Sequence, residues 1–128
     1  LDEFKGGFMT DILKKVETLV RAADDRLASD IEVLEVKDLT PLADYFVVMS
    51  VKNDRQLDAI VQAVTEAAEE NKIDIKDIEG KRSGRWILID CYDIVIHVFN
   101  YEERSHYNLE NIWKDAPTIN IEEWLTDK

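Results

Sequence analysis

Residues 45–50 read Tyr45-Phe46-Val47-Val48-Met49-Ser50, an apolar run with no polar residue inside it. A strand wetted on one side alternates apolar and polar residues, whereas a strand covered on both faces reads as a continuous run. This stretch therefore predicts an internal strand of a sheet that carries helices. Immediately after it, Asn53 or Asp54 can cap a helix running to about Asn71. The stripe of that helix is Leu57, Ile60, Val61, Val64 and Ala68, at 3.6-residue spacing. Immediately before the run, Thr40-Pro41-Leu42-Ala43-Asp44 breaks the chain, because proline pushes its predecessor away from helix.

Further out, Asp30 to Asp38 is β-leaning. Thr10 or Asp11 opens a first helix whose apolar positions are Ile12, Val16, Leu19, Val20, Ala23 and Leu27. On the C-terminal side, Ile73 to Ile78 is ambiguous between coil and a short strand, and Gly80 to Gly84 reads as a loop. Trp86–Asp90 and Ile94–Phe99 read as two strands of a hairpin. Glu102 to Lys114 is predicted helical, with Leu109, Ile112 and Trp113 on its apolar side. After Pro117 an acidic tail offers Ile119, Ile121, Trp124 and Leu125 for packing. The order of elements with short connections predicts a single α/β domain with a mixed β-sheet flanked by helices. Its expected bounds are 9–118, with 119–128 as the tail and residues 1–8, Leu1 to Phe8, as a cloning remnant.

The chain has 128 residues and a net charge of −12, from 28 acidic and 16 basic residues. Binding to bare nucleic acid draws its free energy from counterions released by clustered Lys and Arg, so this balance disfavours it. The same charge steers the chain toward a basic partner. The single cysteine, Cys91, provides no disulfide framework and suits a reducing, cytoplasmic setting. The apolar runs are about a strand long, well below the roughly 20 residues of a membrane-spanning helix. No leader with an apolar core is visible, so neither membrane nor secretion is expected.

Asp90, Asp93 and His97 are the residue types in this stretch that could carry chemistry. Residues three apart on a strand point to opposite faces, so Asp90 and Asp93 are not a metal-holding pair unless the chain bends. At a turn, aspartate is favoured for its own hydrogen-bonding geometry. His97 shares a strand face with Val95 and Phe99 and has no nucleophile near it in sequence, and His106 lies on another element. Cys91 has no CxxC partner. The four glycines, Gly6, Gly7, Gly80 and Gly84, make no phosphate-binding loop. No catalytic residue, no metal site and no cofactor is expected.

Trp86, Leu88 and Asp90 alternate and so share one face of their strand. A large aromatic, an aliphatic and a carboxylate together suit a protein-binding surface that selects a basic partner. A plain core position for Trp86 and Leu88 is the alternative. Lys81, Arg82 and Arg85 form a basic knot in a Gly-flanked loop, suited either to phosphate contact or to simple solvation.

Several segments together resemble the Iojap-like family of ribosomal silencing factors (RsfS). They are ADYFVVMS (43–50), DRQLDAI (54–60), EGKRSGRWILIDCYDIVIHVF (79–99) and EERSHYNLENIW (102–113). The most specific set is Glu79-Gly80 leading into Trp86, Asp90, Asp93 and His97, followed by Arg104, Tyr107, Leu109, Glu110 and Trp113. The resemblance implies a nucleotidyltransferase-like fold without its catalysis. It also implies a translational repressor that binds the large ribosomal subunit through a basic ribosomal protein, the fourteenth of that subunit, and blocks joining of the small subunit. The protein-binding residues would be Glu79, Trp86, Leu88, Asp90 and Asp93. Lys81, Arg82 and Arg85 would touch ribosomal RNA at the periphery, and a homodimer off the ribosome is open. The chain departs from the family at Tyr92, where the turn usually has glycine, and at Val51, another usual glycine position. Two other readings stand beside this one: a metal-dependent nucleotidyltransferase on the same fold, and a homodimeric adaptor with no ribosomal role.

Overall fold

The computed structural model describes residues 11–80, 86–102 and 113–126. Helix α1 (Asp11–Asp25) leads to strand β1 (Ser29–Glu35), then β2 (Tyr45–Val51), helix α2 (Asp54–Glu70) and β3 (Asp77–Glu79). The hairpin β4 (Trp86–Asp90) and β5 (Ile94–Asn100) follows, and β6 (Thr118–Ile119) precedes a 3-10 turn at Glu122–Trp124. The six strands form one mixed sheet in the order β3-β4-β5-β2-β1-β6. Only the β2–β5 pair is parallel; the others are antiparallel.

The apolar run 45–50 occupies a central strand, and every residue of β2 is buried. One face of the sheet carries both helices. Tyr45, Val47 and Met49 of β2 meet Ile94, Ile96 and Val98 of β5 there, beneath Val16, Leu19 and Val20 of α1 and Leu57, Ile60 and Val64 of α2. The other face has a smaller cluster of Leu34, Val36, Phe46, Val95 and Ala116, with Leu88 and Trp113 packed against it.

Asn53 caps α2 by accepting the Gln56 N–H at 2.8 Å. The Gln56 side chain accepts the Lys52 N–H at 2.7 Å and donates to the carbonyls of Arg26 and Leu27 at 3.1 and 2.9 Å. One glutamine thus ties the start of α2 to the chain leaving α1. Leu27 has φ +66°, a left-handed residue just past the end of α1.

Three sequence expectations change in detail. The first helix ends at Asp25, short of Leu27. Ile73 to Ile78 is coil through Lys76, with the strand confined to Asp77–Glu79. A sixth strand, β6, was missed, because its two residues have no periodicity of their own; β1 recruits them. The 118/119 boundary therefore falls inside β6. Beyond it, Ile121 and Trp124 are buried, and Thr126 donates to the Asp24 carboxylate from both its N–H and its hydroxyl, each at 2.9 Å. Of the helix expected from Glu102 to Lys114, residues 103–112 lie outside the described residues, as do residues 1–10, the loop 81–85 and His106.

A candidate protein-docking face

Strand β4 alternates as its sequence reads. Ile87 and Ile89 are buried on the helix-bearing face, while Trp86, Leu88 and Asp90 are half-buried on the opposite face. Pairing registers fix their neighbours. Leu88 sits between Glu79 of β3 and His97 of β5, and Asp90 sits between Asp77 and Val95. Trp86 sits beside Phe99. The face thus has an aromatic and aliphatic centre with a margin of three carboxylates, Asp77, Glu79 and Asp90. Asp77 was missed at the level of sequence. Its signal was there in the two-residue spacing from Glu79, once Ile78 is read as the inward residue of a strand.

Three rings cluster on this face. Trp86, His97 and Phe99 are nearly parallel, with interplanar angles of 6–12° and centroids 6.0–6.2 Å apart. Phe46 meets His97 edge-on at 5.2 Å and Trp113 at 5.3 Å. His97 shares its face with Val95 and Phe99, as the alternation predicts, and is only 6% exposed. Neither of its ring nitrogens has a hydrogen-bond partner among the described residues. Burial lowers its pKa from the ordinary 6.5 to about 4, so the ring is neutral at physiological pH. Buried and neutral, the ring packs against Phe46, Trp86 and Phe99 and supports the surface they form.

The turn between β4 and β5 uses the side chain of Asp90 and the backbone of Asp93. The Asp90 carboxylate accepts the Tyr92 N–H at 2.9 Å, and the Cys91 N–H donates to the Ile94 carbonyl at 2.8 Å. The Asp93 carbonyl accepts the N–H groups of Asp44 and Tyr45, at 2.8 and 3.0 Å, which fastens the turn to the start of β2. Asp93 itself is exposed and lines a recess of about 240 Å³ with Lys15, Lys72 and Asp74, outside the row formed by Trp86, Leu88 and Asp90. Cys91 is buried, and burial together with neighbouring Asp90 raises its thiol to about 11, far from a reactive thiolate. Among the described residues no group of three or more His, Cys, Asp or Glu is arranged to hold a metal ion. No helix among them is long and apolar enough to cross a membrane.

A helix N-terminus offers its backbone amides to phosphate, and α2 opens directly after β2. Here Ser50 is buried in β2, and the amides of Lys52 and Gln56 already bind the side chains of Gln56 and Asn53. The basic residues Lys81, Arg82 and Arg85 lie outside the described residues.

Comparison with known proteins identifies the family. A family model described as "Ribosomal silencing factor during starvation" matches residues 9–128. The chain is 42% identical over 101 residues to the ribosomal silencing factor RsfS of Bacillus subtilis, covering 79% of this chain and 86% of that one. It is 39% identical over 107 residues to the RsfS of Halalkalibacterium halodurans, covering 84% and 92%. A crystal structure of a Chromobacterium violaceum protein superposes with a TM-score of 0.79 at 30% identity, covering 82% of this chain and 88% of that one. With the family model spanning nearly the whole chain and relatives this similar, the protein belongs to the Iojap-like family of ribosomal silencing factors.

Proposed function

We propose that this chain represses translation in the cytoplasm by docking on the large ribosomal subunit through the β4 face and so blocking the small subunit. The observation that carries this reading is the Trp86–Leu88–Asp90 row. A half-buried tryptophan packs beside His97 and Phe99 with its ring nearly parallel to theirs, and Asp77, Glu79 and Asp90 flank it. Aromatic anchors that lose little conformational freedom on binding dominate protein interfaces, and marginal charges select the partner and speed the encounter. The partner is a basic ribosomal protein, the fourteenth of the large subunit, whose charge complements a chain of net −12. Peripheral contacts from Lys81, Arg82 and Arg85 to ribosomal RNA would add register more than specificity. The activity is regulatory, exerted by occupying a surface.

Light scattering of separated ribosomal subunits tests the reading. Added protein should lower the yield of whole ribosomes in a dose-dependent way, with saturation near one protein per large subunit. Unchanged association at saturating protein would remove the silencing mechanism from this chain.

A further inference from the structure

The helices leave part of the sheet uncovered. On the helix-bearing face, α1 packs over β2, and α2 packs over β2 and β5. The strands β3 and β4 lie beyond α2, at one end of the sheet. A groove of about 870 Å³ opens there, between α2 and the segment 72–78. Apolar side chains line it: partly exposed Val61, Ile75 and Ile78, with buried Ile73 and Ile87 beneath them. Its α2 wall runs from Asp58 to Glu69, about 16 Å or three helical turns at 1.5 Å per residue. This is the place a third helix would take beside α2, and no helix among the described residues fills it.

The rim identifies the kind of occupant. Asp58, Glu66, Glu69 and Asp74 are all exposed and line the groove, against a single basic residue among the described ones, Lys72. None of the four carboxylates forms a salt bridge among the described residues. A second copy of this acidic chain would bring like charges to that rim. A helix with an apolar stripe and lysines or arginines beside it would bury the apolar lining and neutralise the rim in one step. We propose that the groove between α2 and the β3–β4 edge is a docking site for a basic amphipathic helix of a partner protein. The groove and the Trp86 row lie on opposite faces of β4, so both can be occupied at once. The proposal therefore stands apart from the ribosomal reading: loss of either site leaves the other to be tested separately.

The probe is a synthetic helical peptide of about 14 residues with leucines at i, i+3, i+4 and i+7 spacing and lysines elsewhere. A scrambled peptide of identical composition and a version with glutamate in place of lysine are compared with it. Amide chemical shifts of the full chain report where each binds, and fluorescence anisotropy reports how tightly. The basic amphipathic peptide should saturate one site, with shifts confined to residues 58–69 and 72–78. The double variant Glu66→Lys, Glu69→Lys changes only exposed side chains and should weaken it roughly tenfold or more, with the effect shrinking as salt rises. Equal binding of the scrambled or acidic peptide would overturn the proposal. So would shifts that move to the Trp86 face, or concentration-dependent shifts in the groove of the protein alone, the signature of a second copy.

Discussion

His97 shows how a residue that looks chemical in sequence becomes structural in the fold. The alternation of β5 put it beside Val95 and Phe99, and the structure surrounds it with Trp86, Phe46 and Phe99. Sequence could give its face but not its depth, because burial depends on partners from β2 and β4 that are distant along the chain. Its cost appears in the pH dependence of stability. The unfolded chain takes up a proton near pH 6.5, while the folded protein resists protonation down to about pH 4. Between those values the unfolded state binds more protons, so stability falls as pH drops, by up to about 3 kcal/mol across the window. Urea titrations from pH 7.5 to 4 should show that loss in the wild type. His97→Leu has no proton to take up there, and the wild-type-minus-variant difference should carry the same pH slope. Parallel curves for the two proteins would mean that His97 is solvated and that the ring cluster does not seal it.

The β4–β5 hairpin is the element most fully written in the sequence. Its two strands follow the predicted apolar runs, and Asp90 caps the turn as its residue type suggests. The departure from the family at Tyr92 turns out to be accommodated in place rather than by moving the turn. Tyr92 adopts φ +69°, and it is the first of two loop residues closed by the Cys91–Ile94 hydrogen bond. That position of a two-residue hairpin favours glycine, because a Cβ there crowds the following carbonyl. Since both side chains are removed equally, Tyr92→Gly should be more stable than Tyr92→Ala by about 1 kcal/mol. Thermal unfolding of the two variants checks this; equal melting temperatures would mean the loop relaxes when the ring is gone. Gly80 is the contrasting case. At φ +89°, a Cβ on it would lie 2.1 Å from the Trp86 carbonyl oxygen, so its permissiveness is required where the chain leaves β3. The short strands β3 and β6 were the illegible elements. Two or three residues carry no pattern, and only the neighbouring strands define them.

At the scale of the whole molecule, the sequence revealed the α/β class because the internal strand β2 had to be apolar on both sides and its neighbouring helices had to be striped. The strand order stayed hidden: the parallel β2–β5 pairing joins residues 45–51 to 94–100, and nothing local announces it. That pairing, with the β4–β5 hairpin, assembles the candidate site. It sets Trp86 beside Phe99, Leu88 beside His97 and Asp90 in line with Phe46, so that the hairpin and β2 form one continuous face. Alternation on β4 made Trp86, Leu88 and Asp90 legible as a row. The third carboxylate, Asp77, emerged only when β3 was aligned to β4. The central claim is that this face is what the large subunit meets, and equilibrium binding of Trp86→Ala to purified large subunits tests it most directly. The variant, folded by circular dichroism, should bind weaker than wild type by about 2 kcal/mol or more, roughly a thirtyfold rise in Kd. A folded Trp86→Ala protein that binds the subunit at full strength would contradict the account.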